Sequence, residues 1–441
     1  MIYKNMQENY NKKNYQYAPF SKVHLRVYIA ICLGQIACGY SLGISGLAIE
    51  AANKYLNITS IWNGLIGSGT LIGLGGSIFM GRLADKIGRH HMLMINMYVL
   101  SFLSIIQLFT SNLLFTFIIR IGIGLMIAID YTVGNALLIE WMPIQEGAKK
   151  QSSILLYWTL GFVISYPIGL IIHGFGPLTW RIILASVAFF SLIAALYRTS
   201  FNLPGSPSWL ASRGNFVDAN KIIQYQLGKK WGLPKHLERY KPVKSLSWTE
   251  LFNKHYLRRT IVGGGFYACQ SFAYFGISIF LPLILKSMNL QNNYLPGIIY
   301  NIGIFVGVSI GVVIFNHIGR KIFLTSTFLI SAISIGLLAL SLHANAWIKV
   351  VLFLIFAMSL SSGLVFDYTY TTELFDVKIR ATGVGTCIAI SRIGAFLGTF
   401  LLPIINQNYG TSTAMFICFI VLVFGALICG ILAIETAALS K

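Results

Sequence analysis

Apolar residues run along this chain in blocks of about twenty, Ile29 to Ala48 and Met415 to Ile434 among them, with short polar stretches between. About twenty residues is what a helix needs to cross roughly 30 Å of hydrocarbon. Twelve blocks are read, at about 27–48, 60–80, 91–110, 112–142, 151–173, 179–200, 260–286, 295–316, 321–342, 346–373, 381–405 and 412–436. The fourth and tenth are long enough to tilt or project. A polar interruption from Phe201 to Arg259 divides them into two sets of six. The pattern predicts an all-α integral membrane protein with twelve transmembrane helices in two pseudo-symmetric six-helix bundles, 27–200 and 260–436. Tails at 1–26 and 437–441 and a linker at 201–259 complete the chain. The first block lacks a small-residue cleavage site after it, so it is expected to be a retained span and not a signal peptide.

Composition narrows the class. Of 441 residues, 56% are hydrophobic and 10% charged, with a mean hydropathy of +0.72, whereas soluble chains carry about a quarter charged residues. A water-soluble enzyme fits that composition poorly. The excess of 33 Lys and Arg over 13 Asp and Glu would need a polar domain to act as a nucleic-acid footprint, and the bases lie between apolar blocks. If both termini are cytoplasmic, 27 basic residues fall on that side and only Lys54, Arg181, Lys286 and Lys349 on the other, with Arg120 and Arg392 inside spans. This bias orients a multi-pass protein of the plasma (inner) membrane, its bases facing anionic lipid. Cys32, Cys38, Cys269, Cys387, Cys418 and Cys429 lie inside blocks and read as small core residues, and the eight histidines sit at span ends or in loops. No metal, cofactor, disulfide or catalytic motif such as HExxH is expected, so the chain is not read as an enzyme.

The linker carries Val217, Ala219, Ile222, Ile223 and Leu227 at helical spacing, and Ser247-Trp248-Thr249-Glu250 has the form of a capping box. Short amphipathic helices are expected there, and a disordered tail from Met1 to Tyr17. A repeat relates the halves: Gly88-Arg89-His90 recurs as Gly319-Arg320-Lys321, an offset of 231, and Glu140 recurs as Glu373, an offset of 233. Two weakly similar halves with a site between them are typical of secondary transporters.

Gly81-Arg82-Leu83-Ala84-Asp85-Lys86-Ile87-Gly88-Arg89-His90-His91 resembles the signature loop of the major facilitator superfamily, and the resemblance extends over nearly the whole chain. Physically, a glycine turn with an acid and flanking bases can latch helix ends in one state and release them in another; Gly81, Asp85, Gly88 and Arg89 are all present, while the second copy has Asn316 in place of the acid. Leu203-Pro204-Gly205-Ser206-Pro207-Ser208-Trp209-Leu210 is similar to the PESPRWL element of the branch holding sugar porters, phosphate:proton symporters and metabolite symporters. Glu140 with Pro143, and Glu373 with Arg380 and Gly383, resemble that branch's two E-x-x-P-x-x-x-R loops. The resemblance implies gate roles for Glu140, Glu373, Arg380 and Arg320.

Arg120, Gly124, Asp130, Tyr131 and Glu140 match the spacing of a fourth-span pattern in the phosphate:proton and metabolite symporters. Asp130 lies about 15 Å before Glu140 at 1.5 Å per residue, near mid-membrane, where an ion is functional or paired. It is the expected proton-coupling residue. Arg392, followed by Ile393-Gly394, stands where that group has a basic residue facing the cavity. Its guanidinium fits a carboxylate or phosphate, and protonating Asp130 would release Arg392 for an anion; a static Asp130–Arg392 lock uses the same two residues. The first span has Ser41, and the seventh Ser271, where relatives carry Asp, so Arg120 loses a partner, and sugar:proton symport and phosphate transport become poorer fits. Asp367 is a second buried acid, one turn nearer the cytoplasm than Gly363, the symmetry position of Asp130; it is read as a cavity or gate residue. Tyr267, Gln270 and Tyr274 follow Gly263-Gly264-Gly265, which could allow bending. They join Arg120, Tyr131, Asn135, Ser41, Trp158 and Tyr166 as softer substrate-cavity candidates.

The expectation is a monomeric secondary active transporter importing a small polar metabolite, an organic anion such as a carboxylate, together with H+, by alternating access. The alternatives are an uncoupled sugar or metabolite facilitator and a transporter-like sensor that does not translocate. Expected partners are the substrate, H+ and the lipid bilayer, with no nucleic acid.

Overall fold

Small residues let these helices approach closely, and the closest approaches follow the same plan in both halves. The computed structural model describes residues 13–56, 58–172, 174–234, 248–290, 294–315, 317–342, 344–367, 369–376 and 379–436. In the first half the helices are α1 (Lys22–Gly43), α2 (Ser45–Asn53), α3 (Ser60–Gly75), α4 (Ser77–Ile87), α5 (Arg89–Ile106), α6 (Leu113–Ile129), α7 (Asn135–Trp141), α8 (Ile144–Ile171), α9 (Thr179–Ala185) and α10 (Val187–Ser200). The linker forms α11 (Pro207–Ser212) and α12 (Phe216–Leu227). The second half holds α13 (Lys254–Ile279), α14 (Leu281–Ser287), α15 (Leu295–Ile314), α16 (Arg320–Leu340), α17 (Ala346–Ser362), α18 (Thr369–Leu374) and α19 (Arg380–Leu427).

A Cβ on Gly39 would lie 2.0 Å from the Trp158 carbonyl, and one on Gly73 2.0 Å from that of Ile121, so α1 packs on α8 and α3 on α6. The second half repeats the pairing: a Cβ on Gly394 would lie 2.3 Å from the Ala268 carbonyl and one on Gly307 2.3 Å from that of Met358, so α19 packs on α13 and α15 on α17. Lipid offers no hydrophobic drive between helices, so close packing of this kind must supply the association.

Among the described residues, nine helices are long and apolar enough to cross a membrane, or up to eleven if each bent pair is one span. One bent pair is α3 with α4, at 44°, and the other α13 with α14, at 69°. The second bend corrects an expectation. Gly263, Gly264 and Gly265 stay inside an unbroken α13, packed against Cys387, Ile390 and Ile428, and the break comes at Phe280, where Pro282 follows at the start of α14. Helix α19 is interrupted at Gly410, whose φ of 86° only glycine adopts readily.

The two long spans are irregular at matching places. Asp130–Gly134 forms a π-helical turn between α6 and α7, and Gly363–Phe366 a 3-10 turn between α17 and α18. Gly363 is the position that the offset of 233 assigns to Asp130.

The halves meet tightly at the face opposite the linker. There Gly64 approaches the Phe400 carbonyl and Gly297 the Tyr166 hydroxyl, α3 against α19 and α8 against α15. A cavity of about 260 Å³ lies between them, lined by Asn53, Asn63, Phe280, Asn406 and Gln407 among others.

At the linker face the tail departs from expectation. Lys13–Asn14 (β1) pairs in parallel with Trp231–Gly232 (β2). Tyr15 is fully buried against Ala219, Ile223 and Trp231, with its ring 5.9 Å from that of Trp141. Ser247 lies outside the described residues, and Trp248–Phe252 forms a 3-10 turn.

Candidate functional site

Three groups of the expected residues come together, with some changes of partner. The first surrounds Asp130. Its carboxylate is completely buried, and Arg198 Nη2, equally buried, donates to Asp130 Oδ1 at 2.5 Å. Asn96 and Gln35 donate to the same carboxylate at 3.3 Å each. The remaining Arg198 donors reach the Leu93 carbonyl at 3.0 Å, Asn96 Oδ1 at 2.9 Å and the Ala30 carbonyl at 3.3 Å. Gly34 makes room, since a Cβ there would lie 2.2 Å from Arg198 Nη2. The expected Asp130–Arg392 pairing is therefore wrong: the partner is Arg198, from the same half. In sequence Arg198 stands at the end of its block and reads as one of the 27 cytoplasmic bases, because position along a block says nothing of helix face.

Arg120 is also held within the first half. Its Nε donates to the Ile66 carbonyl at 2.6 Å and its Nη2 to Ser45 Oγ at 2.5 Å. Ser45, and not Ser41, answers the missing first-span acid; Ser41 accepts from Ser45 through its carbonyl at 3.3 Å.

The second group crosses between the halves. Trp158 of α8 donates to the Tyr131 hydroxyl, and Asn135 donates back to the Tyr131 carbonyl at 2.8 Å. Trp158 and Phe162 face Tyr274 of α13, at ring separations of 6.4 and 5.7 Å. Phe162 was not anticipated; it stands one turn from Trp158 on the same face. Gln270, one turn before Tyr274, donates to the Leu360 carbonyl at 3.2 Å. Asp367 is buried within electrostatic range of both Arg392 and Tyr274. Arg392 is itself buried, and its Cβ lies 3.8 Å from where Gly75 of the first half would carry one. Among the described residues, Gln270 Oε1, Tyr274 Oη and Asp367 Oδ1 are buried without a hydrogen-bond partner. Tyr267 stands apart, stacked on Phe266.

The third group ties helix ends at the linker face. Arg89 donates to Asp85 at 2.9 Å and to Glu140 at 2.8 Å, and Ser206 donates to Glu140. Trp209 and Arg213 donate to the Asp85 carbonyl at 2.9 and 2.7 Å. Gly88, at φ 122°, caps the turn, whereas a side chain at Gly81 would meet nothing within 4 Å. The second half repeats the latch: Arg320 reaches Glu373 at 3.3 Å, and Thr436 also donates to Glu373. Arg380 is not in this pair and donates to the Phe375 carbonyl at 3.1 Å. Asn316 lies outside the described residues. Beside this latch Tyr256 donates to Asp376 and, with Arg259, holds that carboxyl below its ordinary range.

Residues 3–440 match the family described as sugar (and other) transporter. The chain belongs to the sugar (and other) transporter family. Its relatives there include the inner membrane metabolite transport protein YgcS of Escherichia coli, 29% identical over 96% of this chain and 94% of that protein. The putative metabolite transport protein YaaU of the same organism is 28% identical over 97% and 96%, and the putative niacin/nicotinamide transporter NiaP of Bacillus subtilis 26% over 90% and 92%. Among solved structures, the partially occluded inward-open xylose transporter XylE of E. coli superposes with a TM-score of 0.79 at 18% identity, covering 94% of this chain and 99% of that one. This family member has the major facilitator fold: an all-α, multi-pass membrane protein, and a transporter, not an enzyme.

Proposed function

We propose that the protein is a secondary active transporter of a small polar metabolite, an organic anion such as a carboxylate, accompanied by H+ and moved by alternating access. The observation that carries this reading is that Asp367 and Arg392 are both buried and within electrostatic range of each other, near Tyr274 where α13 faces Trp158 of the other half. A guanidinium at the seam between two rocking halves is a fixed anion contact. The positive-inside bias supports a cytoplasmic linker face. With tight packing on the opposite side, the chain then has the inward-facing arrangement, in the inner membrane as for YgcS. Twelve spans follow if each bent pair is one span and Gly410 divides α19 into two.

Proton coupling at Asp130 works differently in this proposal. Protonation would release Arg198, and with it contacts to α1 and α5, in place of competing with Arg392. In proteoliposomes with an imposed pH gradient, Asp130→Asn is expected to abolish accumulation while leaving exchange at equal pH; accumulation that persists removes Asp130 from the coupling step. An uncoupled facilitator is the second reading. It is favoured by the full set of donors around Asp130, and predicts no response to the gradient in the unaltered protein.

A further inference from the structure

The cluster around Arg392 sets one buried acid near one buried base and leaves Gln270 Oε1, Tyr274 Oη and Asp367 Oδ1 without hydrogen-bond partners. Asp367 and Arg392 are both buried and lie within electrostatic range of each other, and with both ionised their charges cancel. Tyr274 is the other titratable group within electrostatic range of Asp367. On the elements packed around it, Tyr300 of α15 is bonded to Ser278, Arg320 of α16 and Glu373 of α18 pair with each other at the linker face, and Lys349 of α17 bonds the Met288 carbonyl at the far end. The pair therefore sets the charge of the site. A monoanion arriving at Arg392 adds one negative charge to a buried, neutral group, which a low-dielectric site resists strongly. One proton restores neutrality, and Asp367 is the carboxylate placed to take it.

The acceptors point to the rest of the ligand. Gln270 donates one of its amide N–H groups to the Leu360 carbonyl and presents Oε1, Asp367 Oδ1 is likewise open, and the open Tyr274 hydroxyl can donate or accept. A ligand that leaves buried acceptors empty loses free energy, whereas one bringing O–H donors recovers it.

We propose that this site takes a hydroxylated monocarboxylate, its carboxylate on Arg392 and its hydroxyls on Gln270 and Asp367, and that Asp367 receives one solvent proton as the anion binds. The inference rests on the anion reading above and is independent of the role of Asp130.

The test uses purified full-length protein with sodium gluconate, sodium nicotinate and glucose as probes, read by thermal shift and by proton uptake in weakly buffered solution. Gluconate is expected to raise Tm most, with proton uptake in the unaltered protein. Its affinity should fall about tenfold per pH unit on the alkaline side. D367N, already neutral at that position, should bind gluconate with no proton uptake and no such pH dependence. Q270A should lose the preference for gluconate over nicotinate. Gluconate binding without proton uptake, uptake retained in D367N, or stronger binding of nicotinate would each overturn the inference while leaving anion transport standing. If D367N does not fold, the pH dependence of gluconate affinity in the unaltered protein decides the proton assignment. Stabilisation by glucose alone, or by no probe, removes the anion reading itself.

Discussion

Asp130 shows what a single buried charge demands of its neighbours. Its carboxylate takes an ion pair and two amides from three helices, and Gly34 leaves the space for them. Gly34→Ala would place a methyl 2.6 Å from Asp130 Oδ2. Breaking a buried pair costs about 3–5 kcal/mol, so this variant should unfold several degrees lower in a detergent melt. Arg198→Gln alone should be similarly damaging, and the double variant Asp130→Asn with Arg198→Gln less so than the sum; additive losses would mean the two residues are not coupled. The acid was legible in the sequence because Asp inside an apolar block is expensive. Its partner was not, because Arg198 stands beside the basic linker and only its burial sets it apart.

At the scale of elements, the latches repeat with the offset read from sequence. Arg89 and Arg320 each bridge to a glutamate at the end of a long span. Arg89→Ala is expected to cost about 1.5–3 kcal/mol, the value of a charge-assisted hydrogen bond, and to speed the transition between states if the latch holds only one of them. Stopped-flow quenching of Trp209, whose indole bonds the same loop, measures that rate; an unchanged rate assigns the loop to structure alone. The carboxyl of Asp376, held below the ordinary value of 3.8, adds stability that is present above that pH and disappears as acid titrates it. Asp376→Asn should flatten the acid limb of the stability profile, seen as melts of variant and parent that converge as the pH falls below 3.8. Helix breaks were harder to foresee than latches. The glycine triplet promised a bend in the seventh span, yet packing against Ile390 and Ile428 keeps it helical, and the turn falls where Pro282 forbids continuation.

For the whole molecule, the length and spacing of apolar blocks made the fold legible, since a bilayer permits few alternatives to stacked helices. The pairing of polar residues across helices was not legible, because it depends on rotation about each helix axis. The packing of α8 on α15 offers a direct check of how the halves sit. Cysteines replacing Tyr166 and Gly297, whose contact runs through the far end of the tyrosine ring, lie beyond direct disulfide reach but should be joined by a short bifunctional thiol reagent, and that link should arrest transport. Crosslinking without arrest would show that this contact persists through the cycle. The tail bears on biosynthesis. β1 closes a loop of more than two hundred residues when it meets β2, and the entropy of closing so long a loop is offset by burying Tyr15. The segment Lys13–Tyr17 thus finds its seat only once the linker has been made, so its docking reports that the whole first bundle has been synthesised.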